Sequence, residues 1–314
     1  MSSSELRYFV VAPSFHDNKS VQEICEELNL LPITPTKIVI LDDSLGVDEY
    51  DVLPSNVQII CPSRRLGQQR LLVQFFRHQF AKSCLPQDSD LVVVMDSDGE
   101  DLPNDVMTLL TEYQCLPIVD LVLASRKSRQ STMKFKFGYN CFRFLSRLIT
   151  GRTVQTGTFS VVSWRWLNHA CYDNAFNASF VGGLIASPAV RRLTPIARGP
   201  RRYGSPKVDL NGLIQHGLNI FFSMSNQIAV RFFIAFCFAS SFTSFSTLGI
   251  LILWWTGVTV PGYTSLILIL IFQLNIIILM LFLGATQNVK LLDIQDREVI
   301  FVERVVLRLD DSAI

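Results

Sequence analysis

The sequence has no acidic, basic or histidine residue over one long stretch, from Phe232 to Val289. A turn at residues 257–262 divides this stretch into two apolar spans, near residues 232–255 and 264–285. Each span is long enough to cross a hydrocarbon core of about 30 Å at about 1.5 Å per residue. Neither span has the polar face of a surface helix. The stretch therefore predicts a transmembrane helical hairpin, with a buried hairpin of a soluble protein as the alternative.

Charge is also missing from the turn between the two spans, whereas Arg231 precedes the hairpin and Lys290 and Arg297 follow it. The positive-inside rule then places both ends of the hairpin in the cytoplasm. The N-terminal segment has no apolar core of a signal peptide, so we expect the residues before the hairpin to stay in the cytosol. The expected protein is an integral membrane protein with two transmembrane helices and cytoplasmic termini.

Three further features that the sequence lacks argue against particular kinds of site or partner. The 7 cysteines lack paired spacing, which argues against a disulfide framework or a zinc site. No Gly-x-Gly-x-x-Gly follows the first predicted strand, which argues against a dinucleotide site. The net charge of +1 gives no indication of a nucleic-acid partner, and we expect none.

Apolar runs alternate with helical patterns in the first 130 residues. The predicted strands are Tyr8–Pro13, Lys37–Leu41, Val57–Ile60, Leu91–Val94 and Leu121–Ala124. Alternation at this spacing predicts an α/β fold with a parallel, doubly wound sheet and helices on both faces. Such sheets bind ligands beyond the carboxyl ends of their strands.

Acidic residues stand at those ends. Asp96 and Asp98 follow a strand that reads as buried on both faces, and Glu100 can supply a third oxygen ligand. Two carboxylates one residue apart can share Mg²⁺ or Mn²⁺, which in turn neutralises a diphosphate. The alternative is that these acids cap the turn and the helix that starts near Pro103. Asp17 and the pair at positions 42 and 43 follow two other strands, so the edge suits a metal-bridged nucleoside diphosphate.

A basic segment lies later in the chain. On a helix over residues 134–149, Lys136, Asn140, Arg143 and Arg147 share one stripe, opposite an apolar and aromatic stripe. This pattern predicts a helix in the membrane interface, with a core-packed helix as the alternative. Just upstream, Arg126, Lys127 and Arg129 are candidates to bind a lipid phosphate.

The motifs in order carry a resemblance. They are Pro13-x-Phe15-His16-Asp17, Asp42-Asp43-Ser44, Arg65-x-Gly67, Asp96-x-Asp98-x-Glu100-Asp101-x-Pro103, Ser125-Arg126, Thr156-Gly157-x-Phe159 and Arg202-x-Gly204-Ser205-x-Lys207. The set resembles the nucleotide-sugar domain of family 2 glycosyltransferases of the GT-A type, a Rossmann-like fold. With the hairpin, nearly the whole chain is similar to polyisoprenyl-phosphate glycosyltransferases, the group that includes dolichyl-phosphate mannose synthase and the bacterial bactoprenyl-phosphate glucosyltransferases.

The resemblance implies a division into a GT-A domain over residues 1–225, the transmembrane hairpin over 226–289 and a cytosolic tail over 290–314. It also implies roles for particular residues. The nucleotide would be bound by Pro13, Asp17, Asp42, Asp43, Gly67 and Asp96; the Mg²⁺ or Mn²⁺ ion by Asp96, Asp98 and Glu100; and catalysis would rest on Asp98, Arg202 and Lys207. Cations on the loop before the membrane would stabilise the departing diphosphate.

The implied activity is inverting transfer of a sugar from a nucleotide donor, UDP- or GDP-linked, to undecaprenyl or dolichyl phosphate. Relatives often have an acid near Gly157, whereas residues 155–160 have none here. A hydroxyl acceptor needs such a base, but a lipid phosphate is already anionic, so the departure favours phosphate attack. Two alternatives stay open: transfer to a hydroxyl of a glycolipid or polysaccharide, and a non-catalytic membrane scaffold.

The tail after the hairpin, residues 298–308, has the composition of a strand. An isolated strand lacks a sheet of its own, so we expect it to pair with a neighbouring subunit and predict a homo-oligomer.

Overall fold

In the part of the chain that the structure describes, eight strands form one mixed sheet. The computed structural model describes residues 6–116, 118–126, 144, 146–152, 156–204, 210–257, 262–294 and 299–304. In chain order, the first half contains β1 (Tyr8–Ser14), α1 (Asn18–Asn29), β2 (Lys37–Asp42), β3 (Val57–Pro62), α2 (Gln68–His78), α3 (Phe80–Cys84), β4 (Leu91–Val94), α4 (Pro103–Gln114) and β5 (Leu121–Arg126).

The second half contains the remaining strands and the long helices. They are β6 (Thr156–Ser163), α5 (Trp164–Ala170), a 3-10 helix (Asn174–Phe176), α6 (Phe180–Ala186), β7 (Arg191–Ile196), α7 (Leu210–Phe222), α8 (Ser225–Trp255), α9 (Tyr263–Ile294) and β8 (Phe301–Arg304). The strand order across the sheet is β7-β5-β6-β4-β1-β2-β3-β8.

Helices cover both faces of the sheet because successive side chains of each buried strand point to opposite faces. Val10 of β1 belongs to a core cluster with α1 and α4, and the next residue, Val11, belongs to a second cluster with α2, α3, α5 and α6. Every residue of β1 and β4 is buried, as expected for strands packed on both faces.

The expectation of a parallel sheet holds for six strands and is wrong for two. Strands β1 to β5 and β7 run in one direction, whereas β6 runs antiparallel between β4 and β5, and β8 runs antiparallel beside β3. We did not predict β6 from the sequence, although Thr156, Thr158 and Ser160 alternate with less polar residues as in a half-buried strand. The α/β class with a Rossmann-like sheet, the late pair of apolar helices and the short C-terminal strand are all confirmed.

The helices α8 and α9 pack against each other and are long and apolar enough to cross a membrane. Their outward side chains are large and apolar, as shown by Phe238 and Phe245, which are 74% and 77% exposed. Between the two helices, the Ser240 hydroxyl donates a hydrogen bond of 3.0 Å to the Asn275 side-chain oxygen.

The expectation that the C-terminal strand pairs with another subunit is wrong for residues 301–304. In the structure β8 pairs with β3 of the same chain, with Phe301 opposite Pro62 and Arg304 opposite Ile59. The hairpin returns the chain to the side of the sheet where the edge of β3 is available for pairing. Arg304 then reaches inward, and its guanidinium donates to the backbone oxygen of Asp48.

The predicted interfacial helix falls mostly outside the described residues. Residues 144 and 146–150 are helical, and Phe144 and Leu148 are 70% and 61% exposed. The carbonyl oxygen of Leu148 accepts a hydrogen bond of 2.8 Å from Arg231 Nη1, at the start of the apolar part of α8. The end of this helix is therefore tied to the start of the first membrane-length helix.

Candidate active site

A tight acidic turn, residues 96–101, follows β4 at the carboxyl edge of the sheet. The backbone N–H of Asp96 donates to the Asp101 carboxylate at 2.9 Å, and the N–H of Glu100 donates to Asp98 Oδ1 at 3.0 Å. Gly99 has a φ of +83°, a conformation that glycine adopts without strain. The turn therefore holds four acidic side chains close together.

One arginine from the carboxyl end of β7 lies inside this turn. Arg198 Nη2 is 2.8 Å from Asp96 Oδ2, and its Nη1 is 2.7 Å from Glu100 Oε2. Its Nε is 3.9 Å from Asp101 Oδ1. Burial pulls the pKa of the Arg198 guanidinium down, but the surrounding carboxylates outweigh burial and raise this pKa above the ordinary value. Arg198 is thus a permanent cation bridging two acids of the turn.

A second arginine, Arg201, connects the acidic turn to the end of β1. Its Nη2 contacts both carboxylate oxygens of Asp17, at 3.0 and 3.3 Å, and its Nη1 is 3.6 Å from Asp98 Oδ2. Only 14% of the Arg201 side chain is exposed. Asp17 and Asp98, which the sequence predicted to share one site, are therefore brought together through this guanidinium.

Arg202, the arginine that the sequence assigned to the diphosphate, points to helix α1. Its Nη1 and Nη2 contact the two carboxylate oxygens of Glu27 at 2.6 and 2.7 Å, and its Nη1 contacts Glu23 at 3.0 Å. These contacts raise the pKa of Arg202, with the Glu27 hydrogen bonds as the largest cause. The stem of Arg202 covers Gly99, where a Cβ would lie 2.4 Å from Arg202 Cγ.

Backbone hydrogen bonds fix the segment that carries the three arginines. The N–H of Gly199 donates to the carbonyl oxygen of Glu100 at 2.9 Å, and the N–H of Arg202 donates to that of Asp98 at 3.2 Å. Residues 199–202 therefore run alongside the acidic turn, with Arg201 in contact with Asp98 of the turn and Arg202 in contact with Glu27 of α1.

The ends of β1 and β2 bring the predicted nucleotide residues together. Pro13 lies opposite Leu41, and Ser14 lies opposite Asp42 in the parallel register. Asp42 is fully buried and accepts a hydrogen bond of 2.8 Å from the N–H of Ser44. Its other carboxylate oxygen is 3.9 Å from Arg304 Nη1 of the C-terminal strand.

Asp43 holds the start of helix α2. Its two carboxylate oxygens accept from the N–H groups of Leu66 and Gly67 at 2.9 and 2.8 Å. Burial is the largest influence on Asp43 and raises its pKa, although these hydrogen bonds act in the opposite direction. Gly67 has a φ of +77°, which allows the chain to turn into α2.

Helix α2 adds two glutamines that the sequence analysis did not identify. The side-chain amide of Gln68 donates to Asp96 Oδ1. The Gln69 side-chain oxygen accepts from the Ser179 hydroxyl and from the N–H of Val181, both at 3.0 Å. Gln68 and Arg198 therefore contact the two different oxygens of the Asp96 carboxylate.

The side chains of the turn do not fit a divalent ion in this arrangement. Carboxylate oxygens are suitable ligands for Mg²⁺ or Mn²⁺, but Arg198 lies between Asp96 and Glu100, and Arg201 contacts Asp98. Among the described residues, no group of three or more His, Cys, Asp or Glu side chains is placed to hold a metal ion. The cavity beside Arg198 is about 20 Å³, close to the volume that one water occupies.

Some predicted residues fall outside this site. Lys207, Lys127 and Arg129 lie outside the described residues. The backbone of Arg126 lies in β5 opposite Ile196 of β7, two residues before Arg198. No motif in the sequence singled out the cluster that contains Arg198 and Arg201 as part of the site. A prediction of β7 would have placed that cluster at the ligand-binding edge.

No protein family model matches the chain, and no curated protein matches it. Among solved structures, it is similar to glucosyl-3-phosphoglycerate synthase from Mycobacterium tuberculosis in complex with Mn²⁺ and UDP-glucose. That match has 13% identity and a TM-score of 0.49 and covers 72% of this chain and 80% of that chain. A mycobacterial protein matches with 14% identity, a TM-score of 0.46 and coverage of 72% and 75%. Likenesses this low assign neither a family nor an activity.

Proposed function

We propose that the protein is a membrane-bound inverting glycosyltransferase of the GT-A type that moves a sugar from a nucleotide donor to a polyisoprenyl phosphate. The observation that carries this proposal is the position of Arg198 and Arg201. Both guanidiniums lie at the carboxyl edge of a Rossmann-like sheet, among the acids of β1 and β4, on a segment that leads toward two membrane-length helices.

The donor site would use this edge in two parts. Asp17, Asp42 and Asp43, with Pro13 and Gly67, would contact the nucleoside, because they gather beyond β1 and β2. The diphosphate would lie over the acidic turn, where Arg198 and Arg201 can exchange carboxylates for phosphate oxygens. Planar guanidiniums suit such exchange because they bind carboxylate and phosphate with the same two-pronged geometry.

The transfer step would use the acceptor phosphate as the nucleophile. One of its oxygens attacks the anomeric carbon, and the bond from that carbon to the donor diphosphate breaks with its electron pair leaving on the phosphate oxygen. Arg201 would stabilise the growing charge, and Asp98 would orient Arg201. Residues 156–163 of β6, beside β4, contain no acid, and a phosphate nucleophile needs no base.

Arg202 and Lys207, together with Arg126, Lys127 and Arg129, remain proposed contacts for the diphosphate and the lipid phosphate. For Arg202 this requires leaving Glu27, with which it is paired. The ion ligands proposed from the sequence are Asp96, Asp98 and Glu100, and their present contacts with arginines give no support for a step through a metal ion. Homo-oligomer formation also stays a proposal. The pairing of the C-terminal strand with another subunit, which first suggested it, is not what the structure has, since β8 pairs with β3 of the same chain.

A membrane location is supported by the apolar surfaces of α8 and α9 and by the Arg231 contact with Leu148. The segment with Arg198 and Arg201 continues through residues 205–209 into α7 and then α8. The site would therefore face the lipid headgroups, with the sheet and both termini in the cytoplasm. A lipid acceptor whose phosphate lies among the headgroups could then reach the site while its apolar chain stays in the bilayer.

A transfer assay tests the proposal. Purified full-length protein is incubated with radiolabelled UDP- or GDP-sugars, with Mg²⁺, Mn²⁺ or a chelator, and with undecaprenyl or dolichyl phosphate. We expect label in an anionic, acid-labile lipid and a loss of about 100-fold in kcat/KM for Arg201→Met, the cost of removing one transition-state donor. Arg192→Met is the matched control, since Arg192 forms an exposed ion pair with Glu112.

Label in a neutral glycolipid would favour a hydroxyl acceptor instead. A non-catalytic scaffold is the second candidate, and the specific observation in its favour is that Arg198 and Arg201 already pair with the acids of the turn. Absence of label with every donor and acceptor, from protein that is folded and binds lipid, would favour the scaffold.

A further inference from the structure

The acidic turn contains its own cation. The fork of Arg198 is shared between Asp96 and Glu100, at 2.8 and 2.7 Å, so both of its terminal nitrogens bind carboxylates of the turn. A guanidinium holding two separate carboxylates links them in much the same way as a shared metal ion does. Only 22% of the Arg198 side chain is exposed, so these contacts are partly shielded from water.

The acidic charge of the turn is partly offset in the same way, by two guanidiniums against four carboxylates. Arg198 contacts Asp96 and Glu100, and Arg201 contacts Asp98. Two guanidiniums carry the formal charge of one divalent ion. Adding Mg²⁺ or Mn²⁺ to both would place a third cation beside the same carboxylates, where Arg198 and Arg201 would repel it at short range.

The space between the carboxylates of Asp96 and Glu100 is also occupied. The cavity that Asp96, Glu100 and Arg198 line is about 20 Å³. A hexacoordinate Mg²⁺ ion needs oxygen ligands on all sides at about 2.0–2.1 Å, whereas the guanidinium of Arg198 lies between Asp96 and Glu100. The Arg198 segment is also anchored, through the Gly199 N–H on the Glu100 carbonyl and through Arg202 on Glu27. A metal ion can therefore enter only if Arg198 leaves.

We propose that Arg198 is the resident cation of the acidic turn and that a divalent ion competes with it for Asp96 and Glu100. The protein then binds free Mn²⁺ or Mg²⁺ weakly while Arg198 is in place. This inference concerns metal binding alone, does not depend on the proposed transfer activity, and is tested without a donor or an acceptor.

The test is a titration of the full-length protein in detergent with Mn²⁺ alone, following free Mn²⁺ by its electron paramagnetic resonance signal. Arg198→Met removes the competitor and keeps the apolar stem, and we expect Mn²⁺ to bind at least about tenfold more tightly, equivalent to about 1.4 kcal/mol. Arg192→Met, which breaks the 2.8 Å exposed pair with Glu112, should leave Mn²⁺ binding as in the wild type.

The new binding must use the turn, so adding Asp96→Asn to Arg198→Met should abolish it. Arg198→Lys gives a second test if the methionine variant does not fold. Lysine keeps one charge but lacks the fork that joins two carboxylates, and Mn²⁺ should bind more tightly than in the wild type but less tightly than in the methionine variant. Unchanged or weaker Mn²⁺ binding in a folded Arg198 variant would overturn the proposal, as would tighter binding that survives Asp96→Asn.

Discussion

Replacing Gly99 with alanine tests where Arg202 points, which separates the observed site from the one expected from the sequence. Gly99 has a φ of +83°, and an added Cβ would lie 2.4 Å from Cγ and 2.7 Å from Cδ of Arg202. The Cβ would therefore force the Arg202 side chain away from Glu23 and Glu27. If Arg202 instead extended toward the nucleotide, it would have no contacts with α1 for Gly99→Ala to break.

The expected loss of stability has two parts. A left-handed backbone conformation costs a residue with a Cβ about 1–2 kcal/mol. Breaking the ion pair of Arg202 adds up to about 1 kcal/mol, because Glu23 and Glu27 are nearly half exposed and water screens the pair. A total of about 1–3 kcal/mol corresponds to a decrease in Tm of roughly 2–12 °C for a domain of this size.

The assay is thermal unfolding of the full-length protein in one detergent, with Gly46→Ala as the matched control. Gly46 has a φ of +82° and no atom within 4 Å of its added Cβ, so it reports the backbone part alone. We expect a larger decrease in Tm for Gly99→Ala than for Gly46→Ala. In a double-mutant cycle, Arg202→Ala should remove that excess, with a coupling energy of about 1 kcal/mol. Equal effects of the two alanine variants, with no coupling to Arg202, would refute the observed placement of Arg202.

Three further predictions concern other parts of the fold. Asp43→Ala removes the acceptor for two backbone amides at the start of α2 and should cost about 1–3 kcal/mol of unfolding free energy; an unchanged denaturation midpoint would contradict the role of Asp43. Asn275→Leu removes the hydrogen bond from Ser240 between the two apolar helices and should cost about 0.6–1.7 kcal/mol in detergent unfolding; a gain in stability would contradict it. A hydrogen bond from Tyr203, which is the largest cause, and another from Arg202 lower the pKa of Glu23 below 4.5. The ionised Glu23 therefore stabilises the folded protein above pH 4.5, and this contribution is lost as the pH falls through the lowered pKa. Glu23→Gln removes the titrating group, so its Tm should decrease less than that of the wild type over this acidic range. An identical dependence of Tm on pH in the two proteins would argue against the contact.

The strands at the centre of the sheet could be predicted because their sequences record burial on both faces. Leu91–Val94 is an unbroken apolar run, which predicts a buried strand. Asp96 and Asp98, which follow this strand, were therefore expected at the ligand-binding edge. Strand β7 could not be predicted, since it lies at the edge of the sheet and reads Arg-Arg-Leu-Thr-Pro-Ile, with a proline that only an edge strand tolerates.

The arginines show the limit of sequence reasoning at the site itself. Arg201 and Arg202 are adjacent and chemically identical, and one contacts Asp17 while the other contacts Glu27. Their directions depend on how residues 199–202 pair with the acidic turn, which no local pattern records. The partner of β8 was equally hidden, because the open edge of β3 belongs to a segment more than two hundred residues earlier.

Binding of nucleoside diphosphates tests the central claim most directly. Calorimetric titration of the full-length protein with UDP and with GDP should give binding by at least one of them, and Arg201→Met should weaken it by about tenfold or more, as expected for a charge-assisted contact of about 1.4 kcal/mol or more. Arg192→Met should bind like the wild type. Absence of binding to both nucleotides, or equal binding by the Arg201→Met protein, would contradict a diphosphate site at this edge of the sheet.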